Sequence, residues 1–380
     1  MTAPPIEAAP ASTLPQVTLR GRVIPVVLPA AGDARFKLSA VTMTLHALGQ
    51  TVLGFKVSIA QILVSITVCA VVEAALTFRS RHSLVWPASG ILTGSSIAFI
   101  LRASGTRHGD WWSLHGIQFF VLAGLVSLLA KHLIRPTGRH LFNPSNVGIV
   151  WCLLVIGPNH VFAQYLWWGP NRFGVALAYG VILLGAGWIL RSVGMIPMAC
   201  SFLVTFAVLI GALALSGRSF IAIWHTGPIG GLSYWATIAL SPELLVFVFF
   251  MISDPQTAPR APAGRVAYGV AVAAAAAALI SFQPTEFAIK VAILSSLTAV
   301  CALVPLIEHA TGRARSRRPA EAGAAARVRR RARLAAAARR PTVIAAAVIA
   351  VAAPLDAAVL AGNEQVMLIE RGQVGSGNAQ

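Results

Sequence analysis

The chain has 380 residues, of which 57% are hydrophobic and 11% charged, with a mean hydropathy of +0.74. A soluble domain carries about 25% charged residues, so this chain cannot cover a water-facing surface; its apolar residues fall in long runs broken by short polar stretches, the pattern of a membrane bundle. The net charge of +18 is not a nucleic-acid signal, because eleven of the 30 basic residues lie between positions 313 and 340, the rest are scattered through tails and short loops, and no recognition fold accompanies them.

In chain order, residues 1–50 read as an N-terminal tail. Its first part is rich in Ala and Pro and has no basic stretch followed by an apolar core, so no signal peptide is expected there. A transmembrane domain is expected over 51–308. A helix of about 20 apolar residues crosses the hydrocarbon layer, and 57–78 fits, with Glu73, near its end, as its only charge. The run 88–101 is shorter and is entered through Trp86-Pro87-Ala88. The run 114–130 follows Trp111 and Trp112, residues suited to the membrane interface. The run 147–156 is too short to span alone. Two further spans, 174–190 and 195–215, are divided by Arg191. The runs 230–240 and 244–252 are short and separated by Ser241-Pro242-Glu243; 266–282 and 287–307 complete ten passes. Residues 309–341 form an Arg- and Ala-rich cytoplasmic linker attracted to anionic lipid. One extra C-terminal helix is expected over 342–362, with a tail over 363–380. Ten passes put the N-terminal tail and the linker on the cytoplasmic side, although Arg79, Arg81, Lys131, Arg135 and Arg139 cannot all fall on that side in this count.

Cys69, Cys152, Cys200 and Cys301 are far apart in apolar runs, with no paired or Cys/His spacing, so neither a disulfide framework nor a metal site is expected. No nucleophile elbow, zinc-protease motif or phosphate-binding loop is present, so chemistry by the chain alone is not expected.

Three short apolar runs adjoin Gly, Pro or Asn. Their polar edges are Ser89-Gly90-Ile91-Leu92-Thr93-Gly94, Asn143-Pro144-Ser145-Asn146 and Ser253-Asp254-Pro255. Irregular backbone at membrane depth is tolerated where protein or a water-filled cavity satisfies it, and broken helices in matching halves mark the binding site of many transport folds. Asn143-Pro144 and Asp254-Pro255 read as corresponding points of an internal repeat of about five helices, each a polar cap followed by Pro at the first helical position. Ordinary caps at the membrane edge are the alternative, and glycines 90, 94 and 148 also suit close helix packing. The candidate ligand or ion cavity therefore comprises Ser89, Gly90, Thr93, Gly94, Asn143, Pro144, Ser145, Asn146, Asp254 and Pro255.

Among ionisable residues in or near spans, Glu73 reads as interfacial beside Arg79 and Arg81. Glu286 and Lys290 are four apart and can pair on one helix face. Glu243, Asp254 and His225 could form a polar cluster for a cation or proton, and Arg139 with His140 could serve an anion.

The phrases Ser89-Gly90-Ile91-Leu92-Thr93-Gly94, Trp111-Trp112, Gly138-Arg139-His140-Leu141-Phe142-Asn143-Pro144 and Phe250-Met251-Ile252-Ser253-Asp254-Pro255 resemble, in this order, the membrane subunits RnfD and NqrB of ion-translocating ferredoxin:NAD and NADH:quinone oxidoreductases. Asn143-Pro144-Ser145-Asn146 with Gln164-Tyr165-Leu166-Trp167-Trp168-Gly169 is closer to the UnbU-type branch named after enediyne biosynthesis. The resemblance covers about 84–307. It implies an all-α polytopic fold of ten transmembrane helices in two inverted five-helix repeats, related to urea transporters. It also implies a bacterial inner-membrane location and work beside other membrane redox or biosynthetic subunits. RnfD and NqrB carry FMN on the Thr of a Ser-Gly-Ala-Thr type motif. No such motif occurs here between Asn143 and Asp254, and the nearest phrase, Trp235-Ala236-Thr237, lacks the Gly and falls too close to Asp254. Covalent flavin on Thr237 is not expected; a noncovalent ligand, FMN included, stays open. The functional expectation is a redox-linked or accessory membrane component associated with enediyne-type biosynthesis. A transporter or channel for a small solute or ion, or a scaffold docking through the Arg-rich linker, are the alternatives.

Overall fold

The computed structural model describes residues 15–316, apart from residues 20, 31, 137 and 169–171. Helices dominate. In chain order they are α1 (Ala34–Thr51), α2 (Ile59–Arg81), α3 (Ala88–Ile100), α4 (Ile117–Leu133), α5 (Pro144–Trp151), α6 (Arg172–Val193), α7 (Ile196–Leu215), α8 (Gly231–Ala239), α9 (Pro242–Val246), α10 (Pro262–Ile280) and α11 (Glu286–Ser316). π-helical turns extend α5 over Cys152–Ile156 and α9 over Phe247–Ile252. Among the described residues six stretches are long and apolar enough to cross a membrane: α2, α6, α7, α8 with α9 as one stretch Gly231–Ile252, α10, and α11 as far as Thr311. The chain is thus a multi-pass helical membrane protein, with the bilayer as its main partner.

Local sequence sets several helix starts. Ser58 and Gln61 open α2 with a reciprocal capping box, Ser58 Oγ accepting from Gln61 N at 2.9 Å and Gln61 Oε1 accepting from Ser58 N at 2.8 Å. Pro at the first turn opens α5, α7, α9 and α10, where its missing N–H costs no hydrogen bond. Close packing follows from missing Cβ atoms. At Gly90 a Cβ would stand 2.6 Å from the Cys69 carbonyl oxygen, and at Gly94 2.6 Å from Ile66 Cα, so α3 lies against the backbone of α2. At Gly148 a Cβ would strike Ser127 and Ala123, which brings α5 equally near α4.

Small strand pairs tie the loops at the two ends of the bundle. At one end β1 (Gln16–Leu19) and β2 (Arg22–Val27) form a hairpin, and β2 runs parallel to β3 (Leu84–Val85), between α2 and α3. At the other end β4 (Leu101–Ala103) pairs antiparallel with β5 (Val161–Ala163), and β6 (Ser219–Phe220) with β7 (Ile229–Gly230). Polar contacts confirm which loops share an end. Lys131 of α4 reaches Ser89, Arg139 reaches Glu308 near the end of α11, and Arg265 reaches the Gly194 carbonyl between α6 and α7. All of these lie at the β1–β3 end. Arg79, Arg81, Lys131, Arg135, Arg139, Arg191, Arg260 and Arg265 gather there, so it is the basic end of the bundle.

Four expectations change. Residues 34–50 are not tail but helix α1, which packs on α6 and α3. The sequence hides α1 because it carries Arg35, Lys37, His46 and Gln50; inside the fold His46 Nε2 lies 3.2 Å from the Ser95 carbonyl and Gln50 donates to the Val57 carbonyl at 2.8 Å. The runs 230–240 and 244–252 do not cross separately but make one interrupted stretch, broken at Leu240–Ser241. Asp254 caps no helix: it follows the π-helical turn of α9, and the next helix begins at Pro262 behind Ala261. The five basic residues, which the ten-pass count puts on the outer side, lie at the same end of the bundle as the start of α1 and the end of α11. Of the linker expected over 309–341, α11 occupies the start, through Ser316. The rest of it, the helix expected over 342–362 and the tail over 363–380 lie outside the described residues.

Candidate functional site

The short helices bring two groups of buried charge into the bundle. At the end opposite the basic one, Glu243 sits in the first turn of α9, after Ser241, whose hydroxyl accepts from Leu244 N at 3.2 Å. Lys290, in the second turn of α11, donates to Glu243 Oε2 at 2.7 Å and is 3% exposed. Glu286, one turn earlier, does not pair with Lys290. Its Oε1 accepts from Leu166 N at 2.6 Å and its Oε2 from Trp224 Nε1 at 2.7 Å. Arg102, in β4, is buried with its guanidinium 4.5 Å from the Tyr165 ring centroid and 4.9 Å from that of Phe162, and its Nη1 has no partner. Lys290 and Lys56 also face the Tyr165 ring, at 5.9 and 5.7 Å.

A cavity opens beside this cluster. Glu243 and Lys290 line it together with Ile100, Phe247, Met251 and Leu294, and it leaves about 20 Å³ for the centres of water-sized molecules, room for about one. Met251 links it to the α5 start: Asn143 Nδ2 donates to the Met251 carbonyl at 3.0 Å. Asn143 also caps α5, its Oδ1 accepting from Ser145 Oγ at 3.0 Å and Asn146 N at 3.3 Å, with Pro144 buried at the first helical position. Asn146 Nδ2 donates to the Leu294 carbonyl and Thr298 Oγ1, both at 2.8 Å, while its buried Oδ1 has no partner.

The second group lies nearer the basic end. Lys131 Nζ donates to Glu73 Oε1 at 2.6 Å and to Ser89 Oγ at 2.8 Å, and His132 Nε2 lies 3.2 Å from Glu73 Oε2. Glu73 therefore belongs to a half-buried pair between α2 and α4, not to Arg79 and Arg81. Asp254 stands 3.6 Å from His140, and its Oδ1 accepts from Gln256 N at 2.9 Å; Pro255 is exposed in the following turn. Arg139 pairs with Glu308 at 3.1 Å. Glu243 and Asp254 mark opposite ends of one short stretch, and His225 is exposed, its Nδ1 3.2 Å from the Gly227 carbonyl, so the three form no cluster.

Of the residues expected from the sequence, Asn143 bonds to Met251 and Asn146 to Leu294, both of the cavity wall, while Pro144 and Ser145 are buried in the same turn. Asp254 lies next to His140 at the basic end. Gly90 and Gly94 serve helix packing, and Thr93 Oγ1 donates to the Ser89 carbonyl at 2.9 Å within α3. Thr237 lies half-buried on α8, its carbonyl accepting from Trp167 Nε1 at 3.1 Å. Among the described residues no group of His, Cys, Asp and Glu could hold a metal ion. The Glu243–Lys290 pair was not legible as a pair, since 47 positions separate its members. The signal for each was a charge inside an apolar run. No family model matches the chain, and no curated protein matches it.

Proposed function

We propose that the chain is a membrane component of the RnfD/NqrB kind, redox-linked through partner subunits or accessory to enediyne-type biosynthesis, in a bacterial inner membrane. One observation carries this reading: two of the phrases on which the resemblance rests, at Asn143 and at Met251, are joined by a hydrogen bond across 108 positions. The two phrases thus meet at one place in the fold, which supports the reading.

The helix order supports the inverted repeat in a changed register. We pair α1–α5 with α6, α7, α8–α9, α10 and α11, which makes ten. Pro87 before α3 then corresponds to Pro242, Arg102 to Asp254, and Asn143, the cap of α5, to Thr285, whose Oγ1 accepts from Ala288 N at 3.3 Å. Asn143 and Asp254 are therefore not corresponding points in this pairing; Asn143 instead meets Met251 of the other half. The basic end faces the cytoplasm on the positive-inside rule.

The residues present do not fit a flavin. The cavity beside Glu243 has room for about one water, and the Thr237 region lacks the attachment phrase. Redox linkage would come through partners. Purification from native membranes tests this: flavin or iron–sulfur absorbance is expected to travel with the chain on separate polypeptides. A chain that purifies intact, alone and colourless overturns the redox reading.

A second reading, a transporter or channel for a small solute or ion, is favoured by the cavity between broken helices with a buried carboxylate and ammonium on its wall.

A further inference from the structure

We propose that Glu243 and Lys290 form a proton-exchanging pair that takes up and releases protons through the water-sized cavity they line. The inference deepens the transport reading by naming the proton as the species handled, and rests on that reading for its use though not for its chemistry.

The geometry distinguishes Glu243 from Glu286. Both oxygens of Glu286 accept a hydrogen bond, from Leu166 N and Trp224 Nε1, so an added proton meets a donor already in place on either oxygen. Glu243 accepts only from Lys290, through Oε2. Among the described residues its Oε1 has no hydrogen-bond partner, and the side chain lines the cavity. A proton can therefore bind Oε1 without breaking a bond in the fold. Lys290 likewise uses one of its three donors on Glu243, and it too lines the cavity.

The charge balance allows the exchange. The groups facing Glu243 are Lys290 and Glu286 from α11 and Arg102 from β4, with Lys56 beyond the Tyr165 ring. Glu243, Glu286, Lys290 and Arg102 sum to zero when all are ionised. If Glu243 Oε1 takes a proton from cavity water while Lys290 gives one of its own back to that water, one O–H bond forms on the carboxyl as one N–H bond breaks, the number of protons on the pair is unchanged, and the sum is still zero. No unpaired charge is left in the interior, which is the costly outcome for a buried pair. Arg102 cannot act as Lys290 does, because a guanidinium does not lose its proton in proteins. The two groups then titrate as one unit.

Infrared difference spectra of the protein in lipid nanodiscs, recorded between H2O and D2O at one near-neutral pH, test the chemistry. A protonated-carboxyl band that shifts in D2O is expected in the wild type and in Glu286→Gln, and is expected to be lost in Glu243→Gln. Lys290→Arg guards against a folding failure of Glu243→Gln. It keeps the pair charged but removes the group that can give up its proton, so the band is expected to vanish in a folded protein. A band that persists in Glu243→Gln or Lys290→Arg, or its absence from the wild type, overturns the proposal. Proteoliposomes with a trapped pH dye and an imposed potential test the use: wild-type protein should exceed the empty-vesicle rate, and Lys290→Arg should fall to it. A correct infrared result without flux sinks the transport reading and leaves the proton-exchanging pair standing.

Discussion

The bundle holds two Lys–Glu pairs that look alike on paper and differ in their surroundings. At Glu73 both oxygens have a partner, Oε1 Lys131 and Oε2 His132, and Lys131 has a second one in Ser89. At Glu243 one oxygen is free and a cavity lies beside it. A saturated pair holds helices together. An unsaturated pair on a cavity wall can exchange something with what enters. Ion pairs in a membrane protein are therefore better sorted by their unused bonding positions than by distance, since the two separations are 2.6 and 2.7 Å.

The sharpest way to break this distinction is to remove charge from each pair. Glu73→Ala strands Lys131 between α2 and α4 and is expected to cost about 3–5 kcal/mol, read as a fall in thermal unfolding temperature in detergent. Replacing both partners, Glu73→Leu with Lys131→Leu, should recover most of that loss and leave proton exchange intact. The same double replacement at Glu243 and Lys290 should also fold, yet abolish the exchange. Equal behaviour of the two double variants would erase the distinction.

The next effect concerns close packing near the saturated pair. Gly94→Ala puts a Cβ 2.6 Å from Ile66 Cα and against the Ser65 carbonyl, backbone that cannot rotate away. Overpacking of this kind costs about 1–3 kcal/mol. Gly187→Ala, at a helical glycine with open space around it, serves as the control and should leave unfolding unchanged or slightly raised.

Asn143→Ala removes the α5 cap and the bond to Met251. About 1–2 kcal/mol is expected from the cap, together with faster hydrogen exchange in the first turn of α5. A protein with unchanged exchange there would mean that the Met251 contact does not hold the two broken helices together.

The smallest effect lies outside the spans. Asp33 caps α1, accepting from Arg35 N at 2.9 Å, and the Arg35 guanidinium holds its carboxyl below the usual 3.8. Its contribution is present above the unfolded value and lost as pH falls through the lowered folded value. Asp33→Asn, which still caps but carries no charge, should flatten the acid limb of the unfolding profile by a small margin. An unaltered limb would show that Arg35 contributes nothing through charge.

Much of the fold was legible in the sequence because hydrocarbon demands continuous apolar runs: each expected run from 57 to 307 falls on a helix. The interruption between 240 and 244 was visible in Ser241-Pro242-Glu243. Helix α1 was not visible as a span, since its polar residues are satisfied by neighbours distant in sequence. Its buried positions, Val41, Thr42, Leu45, His46 and Gly49, do keep helical spacing, and that was the signal available. At the site, Asn143 was legible because a cap is a local device. The partner of Lys290 was not. Spacing along α11 offers Glu286, but tertiary donors from Leu166 and Trp224 take that carboxylate and leave Glu243 for the lysine.

The parallel pairing of β2 with β3 has a consequence for biosynthesis. Val26 meets Leu84, 58 positions further on, with all of α1 and α2 between the two strands. At ordinary translation speeds β2 leaves the ribosome roughly 3–12 s before its partner exists. The clasp can close only after both helices have been inserted and the chain has returned to the side it started from. It therefore works as a check on correct threading: a nascent chain that skips either crossing leaves β3 across the membrane from β2, with the hairpin edge unpaired and open to quality-control proteases.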